Sequence, residues 1–189
     1  CDQRGILLIF DEVQTGVGRT GEWFAYQHEG VAPDIMALAK GLGGGVPIGA
    51  MLCTEEVAQG FAPGAHASTF GGNPLATRAG LTVLQVIERD GLRARAGALG
   101  ERLRAGLATL CGRFDGCLEA RGRGLLCGLQ VDVDRVDRAA VKQAAQDRGL
   151  LITLAGPDVL RMAPPLIIGE AHVDEALRIL EASLEAVLK

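Results

Sequence analysis

The sequence predicts an α/β protein, with part of a mainly parallel sheet first and a smaller α+β unit after it. Three observations carry this expectation. Two short apolar runs, over 6–10 and 35–39, each end on a polar residue followed closely by glycines. That is the pattern of buried parallel strands whose C-terminal ends open into loops. Residues 75 to about 110 have helical apolar spacing, and beyond them strand-like and helix-like segments alternate on a smaller scale.

The elements follow in order. The run over 6–10 closes at Asp11-Glu12, and the stretch 15–21 is too rich in glycine for regular structure. Residues 23–29 fit a short helix. Pro33-Asp34 opens the second run, which ends at Lys40. Residues 41–47 read as loop and 48–53 as a third strand. Thr54-Glu55-Glu56 marks a helix start. Residues 60–74 read as an ordered loop, and the long helical pattern breaks at Asp90-Gly91. Strands are predicted over 114–120 and 124–133, then a helix over 139–148 with Gly149 as its C-cap. Residues 150–154 and 159–162 are strand-like. Over 174–188, Ala176, Leu177, Leu180, Leu184 and Val187 share one face of an amphipathic helix. The composition shift places a domain boundary near residue 112, dividing 1–112 from 113–189.

Composition excludes several functions. The chain has 189 residues, 48% apolar and 22% charged, with a net charge of -4. This is a globular balance that gives no sign of a nucleic-acid or membrane partner. No apolar run approaches the roughly 18 residues of a membrane span. The five cysteines form no C-x-x-C pair and are odd in number. They read as buried, reduced thiols of a cytoplasmic protein, neither a disulfide frame nor metal ligands. The histidines lack zinc spacing, so no metal site is expected. The start, Cys1-Asp2-Gln3-Arg4-Gly5, runs straight into an apolar strand, as expected of a piece of a longer protein.

The chemistry lies at the strand ends. Open α/β sheets bind ligands beyond the C-terminal ends of their strands. Asp11 and Lys40 stand at two such ends. A cofactor that needs both an amine and an acid is pyridoxal 5′-phosphate (PLP), whose aldehyde condenses with a lysine and whose pyridine nitrogen needs an acidic partner. The plainer readings are a solvated Asp-Glu turn and a surface lysine before a glycine run. The glycine-rich loop after Lys40 fails the nucleotide signatures. G-x-G-x-x-G from Gly41 would need glycine where Val46 stands, and no G-K-[ST] occurs.

Longer motifs narrow the choice. Leu8-Ile9-Phe10-Asp11-Glu12-Val13-Gln14-Thr15-Gly16 leads into Gly18-Arg19-Thr20-Gly21. Pro33-Asp34-Ile35 leads to Ala39-Lys40-Gly41-Leu42-Gly43-Gly44-Gly45 and Pro47-Ile48-Gly49-Ala50. His66-Ala67-Ser68-Thr69-Phe70-Gly71-Gly72-Asn73-Pro74-Leu75-Ala76 comes next. In this order and spacing they resemble the class III, ornithine-type, PLP-dependent aminotransferases, along the whole chain. The resemblance implies fold type I, with part of the large-domain sheet followed by a small C-terminal α+β domain.

It also implies roles. Lys40 would hold PLP as a Schiff base and move a proton in catalysis. Asp11 would pair with the pyridine nitrogen, Val13 would pack on the ring and Gln14 would meet the phenolic oxygen. Thr69 would bind the phosphate of the neighbouring subunit of a homodimer, although a loop threonine capping a turn is the plain alternative. Arg161 would anchor the substrate α-carboxylate, with a structural ion pair as its alternative. Arg19 is as compatible with an architectural ion pair as with substrate contact. The segment 149–161 looks most like members that move the terminal amine of N-acetylornithine to 2-oxoglutarate, giving glutamate, in arginine biosynthesis. Relatives acting on succinylornithine, succinyl-diaminopimelate, ornithine or 4-aminobutyrate share the motifs. A PLP aminomutase and a non-catalytic effector-binding module are the rivals from other classes. The family's amino-terminal half, with its ring-stacking aromatic and much of its phosphate cradle, has no counterpart here. The isolated polypeptide is therefore expected to be inactive and to bind PLP weakly.

Overall fold

The computed structural model describes residues 1–188. The chain divides into two compact units, Cys1–Arg93 and Ala94–Lys189.

In the first unit, β1 (Ile9–Asp11) lies parallel to β2 (Ile35–Leu38), and β3 (Ala50–Cys53) pairs antiparallel with β2, giving the order β1-β2-β3. The run over 6–10 thus forms a strand only at its end. Upstream, Leu8 is tied to Asp34 instead. Its N–H donates to Asp34 Oδ2 at 2.6 Å, and its carbonyl accepts from the Asp34 and Ile35 amides. The expected burial is also corrected. Ile6, Leu7 and Ile9 are 56%, 54% and 61% exposed. β1 is an edge strand bonded to β2 alone, and Ile9 lies on the face of the sheet opposite buried Met36 and Leu38.

Residues 41–43, read as loop, belong with Lys40 to a 3-10 turn, Lys40–Gly43, because Leu42 is buried and the Leu42 and Gly44 amides bond back to Ala39 and Gly41. A second 3-10 turn spans Ala25–His28. The short helix α1 (Glu55–Ala58) starts on Thr54, whose hydroxyl caps the Val57 amide. The 60–73 segment stays irregular until Asn73 caps α2 (Pro74–Arg89) through Ala76, with Pro74 in the first turn where its missing N–H costs nothing. Helix α2 packs against the 40–43 turn.

The second unit holds α3 (Leu92–Cys111), β4 (Cys117–Arg123), β5 (Leu126–Val131), α4 (Arg138–Asp147), β6 (Thr153–Ala155), β7 (Val159–Met162) and α5 (Glu170–Val187). The strands form an antiparallel sheet ordered β4-β5-β7-β6. The division falls at Arg93, not near residue 112. Ala96, Leu99, Leu103, Leu107 and Leu110 of α3 belong to the same core as Leu129, Leu160, Leu180 and Leu184, so α3 packs with β5, β7 and α5. At Gly100 a Cβ would lie 2.1 Å from the Gly124 carbonyl oxygen, so only glycine lets α3 approach the β4–β5 turn.

Three boundaries shift for local reasons. β4 begins late because the amides of residues 112–114 and 117 bond back to carbonyls at 108–110 and 114, closing tight turns after α3. β6 begins late because the Leu150 amide still bonds to Ala145 at the end of α4. α5 begins at Glu170 because His172 Nδ1 accepts the Gly169 amide at 3.1 Å. All five cysteines are free thiols. Cys117 and Cys127 are buried, Cys53 and Cys111 half-buried, and Cys1 is exposed, against the expectation of uniform burial.

Candidate active site

Strand β1 delivers Asp11 and β2 delivers Lys40, from neighbouring parallel strands pointing the same way. Asp11 is level with Ala37 across the ladder. Lys40 follows three residues beyond, past the end of β2, where it begins a 3-10 turn. Register partners in a pleated sheet share a face. Asp11 therefore lies with Ile9, Ile35 and Ala37 on the face opposite Met36 and Leu38. Asp11 and Lys40 are both exposed. Asp11 Oδ1 accepts from the Val13 amide at 2.9 Å, which fixes the carboxyl group while leaving Oδ2 open. The Lys40 backbone has φ 45°, a left-handed conformation that costs a non-glycine residue about 1–3 kcal/mol. Its amine forms no ion pair or hydrogen bond among the described residues.

The turn after Asp11 is tightly packed. Glu12, only 3% exposed, points to the other side of the strand from Asp11. Its amide extends the ladder to the Ala37 carbonyl at 3.0 Å. A Cβ on Gly16 would sit 2.9 Å from the Glu12 carbonyl oxygen and 3.0 Å from Leu38 Cδ2, so glycine is required there. Val17 is buried and also left-handed, at φ 58°, which is unfavourable for a β-branched residue. Val13 is half-buried and Gln14 exposed at the head of this turn. Arg19 is half-buried, and burial pushes its guanidinium below its usual range. Thr69 lies in the exposed 60–73 segment, and its side chain hydrogen-bonds to no described residue.

Arg161 belongs to the second unit. It stands on β7 opposite Thr153 of β6, and its Nε donates to Thr153 Oγ1 at 3.0 Å. Both line a cavity of about 580 Å3 within that unit, with Arg148, His172 and Glu175 and an otherwise largely apolar wall. The arginine inside an apolar strand is thus oriented by a hydroxyl on the next strand.

Sequence reasoning missed Glu12, Val17 and Thr153. Period-two alternation alone places Glu12 on the opposite face from Asp11, so its burial was readable in principle. Val17's strain and the Thr153–Arg161 pairing depend on tertiary contacts and had no local signal.

These positions describe an α/β protein that presents a strained lysine and a pre-oriented acid from the ends of two adjacent parallel strands. The donor set fits PLP. An amine and a carboxyl group stand at or just beyond the C-terminal ends of neighbouring parallel strands, with small Ala37 level with the acid. Comparison with known proteins agrees. The family model Aminotransferase class-III matches residues 1–184. The acetylornithine aminotransferase of Synechocystis sp. is 50% identical over the whole chain, which spans 44% of that protein. The acetylornithine aminotransferase of Gloeobacter violaceus is 53% identical over 96% of the chain and 45% of its own length. Ornithine aminotransferase from Toxoplasma gondii, described with partial occupancy of PLP at its active site, superposes with TM-score 0.94. It is 39% identical, covering 99% of this chain and 44% of that one. Acetylornithine aminotransferase from Elizabethkingia anophelis gives TM-score 0.91 at 36% identity, covering 98% of this chain and 47% of that one. The chain belongs to the class III aminotransferase family, whose cofactor is PLP and whose fold is type I. It spans less than half the length of the curated relatives it matches. No described helix is long and apolar enough to cross a membrane.

Proposed function

We propose that the protein carrying this chain transfers the terminal amine of N-acetylornithine, or a similar acylated diamino acid, to 2-oxoglutarate in the cytoplasm. The observation that carries the reading is that Asp11 ends β1 and Lys40 follows the end of the adjacent parallel strand β2, in a chain about half identical to acetylornithine aminotransferases. When bound, PLP supplies an aldehyde that condenses with amines and a ring that accepts the electron pair left at the substrate carbon. Lys40 would supply the amine that holds the cofactor and would hold or move the proton at the substrate carbon. Asp11, held by the Val13 amide, keeps a proton on the pyridine nitrogen. Val13 would pack on the ring and Gln14 would meet its phenolic oxygen. Thr69 serves the phosphate of the neighbouring site in a homodimer. Arg161, oriented by Thr153, anchors the substrate carboxylate through its planar fork. In this reading the first unit completes a PLP-binding large domain and the second is the small domain.

Borohydride reduction of the PLP-loaded full-length protein, with peptide mapping, is expected to label Lys40. A label on another lysine overturns the assignment. Amino transfer from N-acetylornithine to 2-oxoglutarate then tests the substrate. A clear preference for ornithine, succinylornithine or 4-aminobutyrate, or turnover without a dicarboxylate acceptor, would replace it.

A further inference from the structure

The most deeply buried ionisable side chain beside the candidate site is one that this reading does not use. Glu12 is 3% exposed, and each of its carboxyl oxygens is taken. Oε1 accepts from the Tyr26 amide at 2.9 Å, and Oε2 accepts from the Thr15 hydroxyl. No cation pairs with it among the described residues. Burying a carboxyl group on neutral donors is costly, and an apolar side chain would fill the space more cheaply. Its backbone is engaged as well. The Glu12 amide donates to Ala37 on β2 at 3.0 Å, and its carbonyl accepts from Gly16 at 2.9 Å. One residue therefore joins β2, both ends of the 12–16 turn, and the 3-10 turn 25–28. The ring of Tyr26 there stacks on Phe24 at 5.9 Å and leans on Phe10 at 6.5 Å.

The 12–16 turn carries Gln14 and the Val13 amide, which donates to the Asp11 carboxyl group. Moving the turn moves both. We propose that Glu12, working through Thr15 and the Tyr26 amide, is a positioning residue for Asp11 and Gln14. It fixes from the buried side of β1 the direction in which the acid faces the cofactor nitrogen. The inference rests on the proposed function.

The test uses the full-length protein and three variants. E12Q keeps an acceptor for Tyr26 and gains a donor for Thr15, so it preserves the geometry. E12A removes both links. T15V removes only the closure of the turn and leaves Glu12 satisfied by Tyr26. PLP affinity and the pH midpoint of the bound cofactor's absorbance are read beside thermal stability. T15V and E12A are expected to weaken PLP binding by about tenfold or more and to move the midpoint by roughly half a unit or more. E12Q is expected to restore both to wild type. If T15V and E12A match wild type in affinity and midpoint, whatever their stability, the inference fails. Should E12A not fold, T15V decides alone. A wild-type protein that is not labelled at Lys40 removes the proposed function itself, which is a distinct result from unaffected variants of a labelled wild type.

Discussion

Lys40 holds a backbone conformation that glycine would adopt more cheaply. Strain of this kind persists where the surroundings impose it, and it is common at functional sites. Here buried Leu42 and the two 3-10 hydrogen bonds from Leu42 and Gly44 impose it. Replacing Lys40 by glycine in the full-length protein is therefore expected to raise stability by up to about 1 kcal/mol while abolishing PLP capture. Thermal unfolding and borohydride trapping read the two effects separately. Gly100 is the opposite case, with no room for a side chain. Gly100→Ala is expected to destabilise by about 1–3 kcal/mol, measured by denaturant unfolding, because its methyl group would meet the backbone of Gly124. For Arg161, lysine keeps the charge but loses the planar fork. R161K is expected to raise KM for the acylated diamino substrate by roughly tenfold or more, and an unchanged KM would return Arg161 to a structural role.

At the scale of elements, the start of α5 is held by two devices. His172 caps the Gly169 amide, and Asp174 makes a two-point contact with Arg102 of α3, at 2.8 Å for each bond. The Arg102 guanidinium holds the Asp174 carboxyl below its usual 3.8. A depressed folded value means the contribution is present above the unfolded value and is lost as pH falls through the folded one. Wild-type stability is therefore expected to drop more steeply below pH 3.8 than that of D174N, as measured by unfolding across that range. The buried thiols follow the converse rule. Burial pushes Cys117 and Cys127 up to about 11 from the usual 9.0, so their neutral forms favour the folded state below pH 9.0 and that advantage fades through about 11. The element boundaries were readable where side chains act locally, as at Thr54 and the Asp90-Gly91 break. They were misread where backbone bonds closing the turn after the preceding helix, as at 112–117 and 150, or the His172 cap, set the limit.

For the molecule as a whole, the first unit leaves Ile6, Leu7, Ile9 and Met51 largely exposed. Exposed apolar clusters mark surfaces built to be covered. The isolated 189-residue polypeptide is expected to bind a hydrophobic dye and to release PLP during gel filtration, whereas the full-length protein retains it. Stable, stoichiometric PLP on the isolated chain would contradict this.

By itself the sequence determined the α/β class, the strand ends that carry Asp11 and Lys40, the helices around the Asp90-Gly91 break, and the family. All of these depend on local periodicity, turn chemistry and motifs a few residues long. Only the tertiary structure decided that the first strand is exposed, that α3 joins the second unit, that Lys40 and Val17 are strained, and that Thr153 orients Arg161. It also decided that Glu12 ties the Asp11 turn to a segment fourteen positions away. Each of those outcomes depends on which distant residue comes to lie alongside, and neighbours in sequence do not specify that.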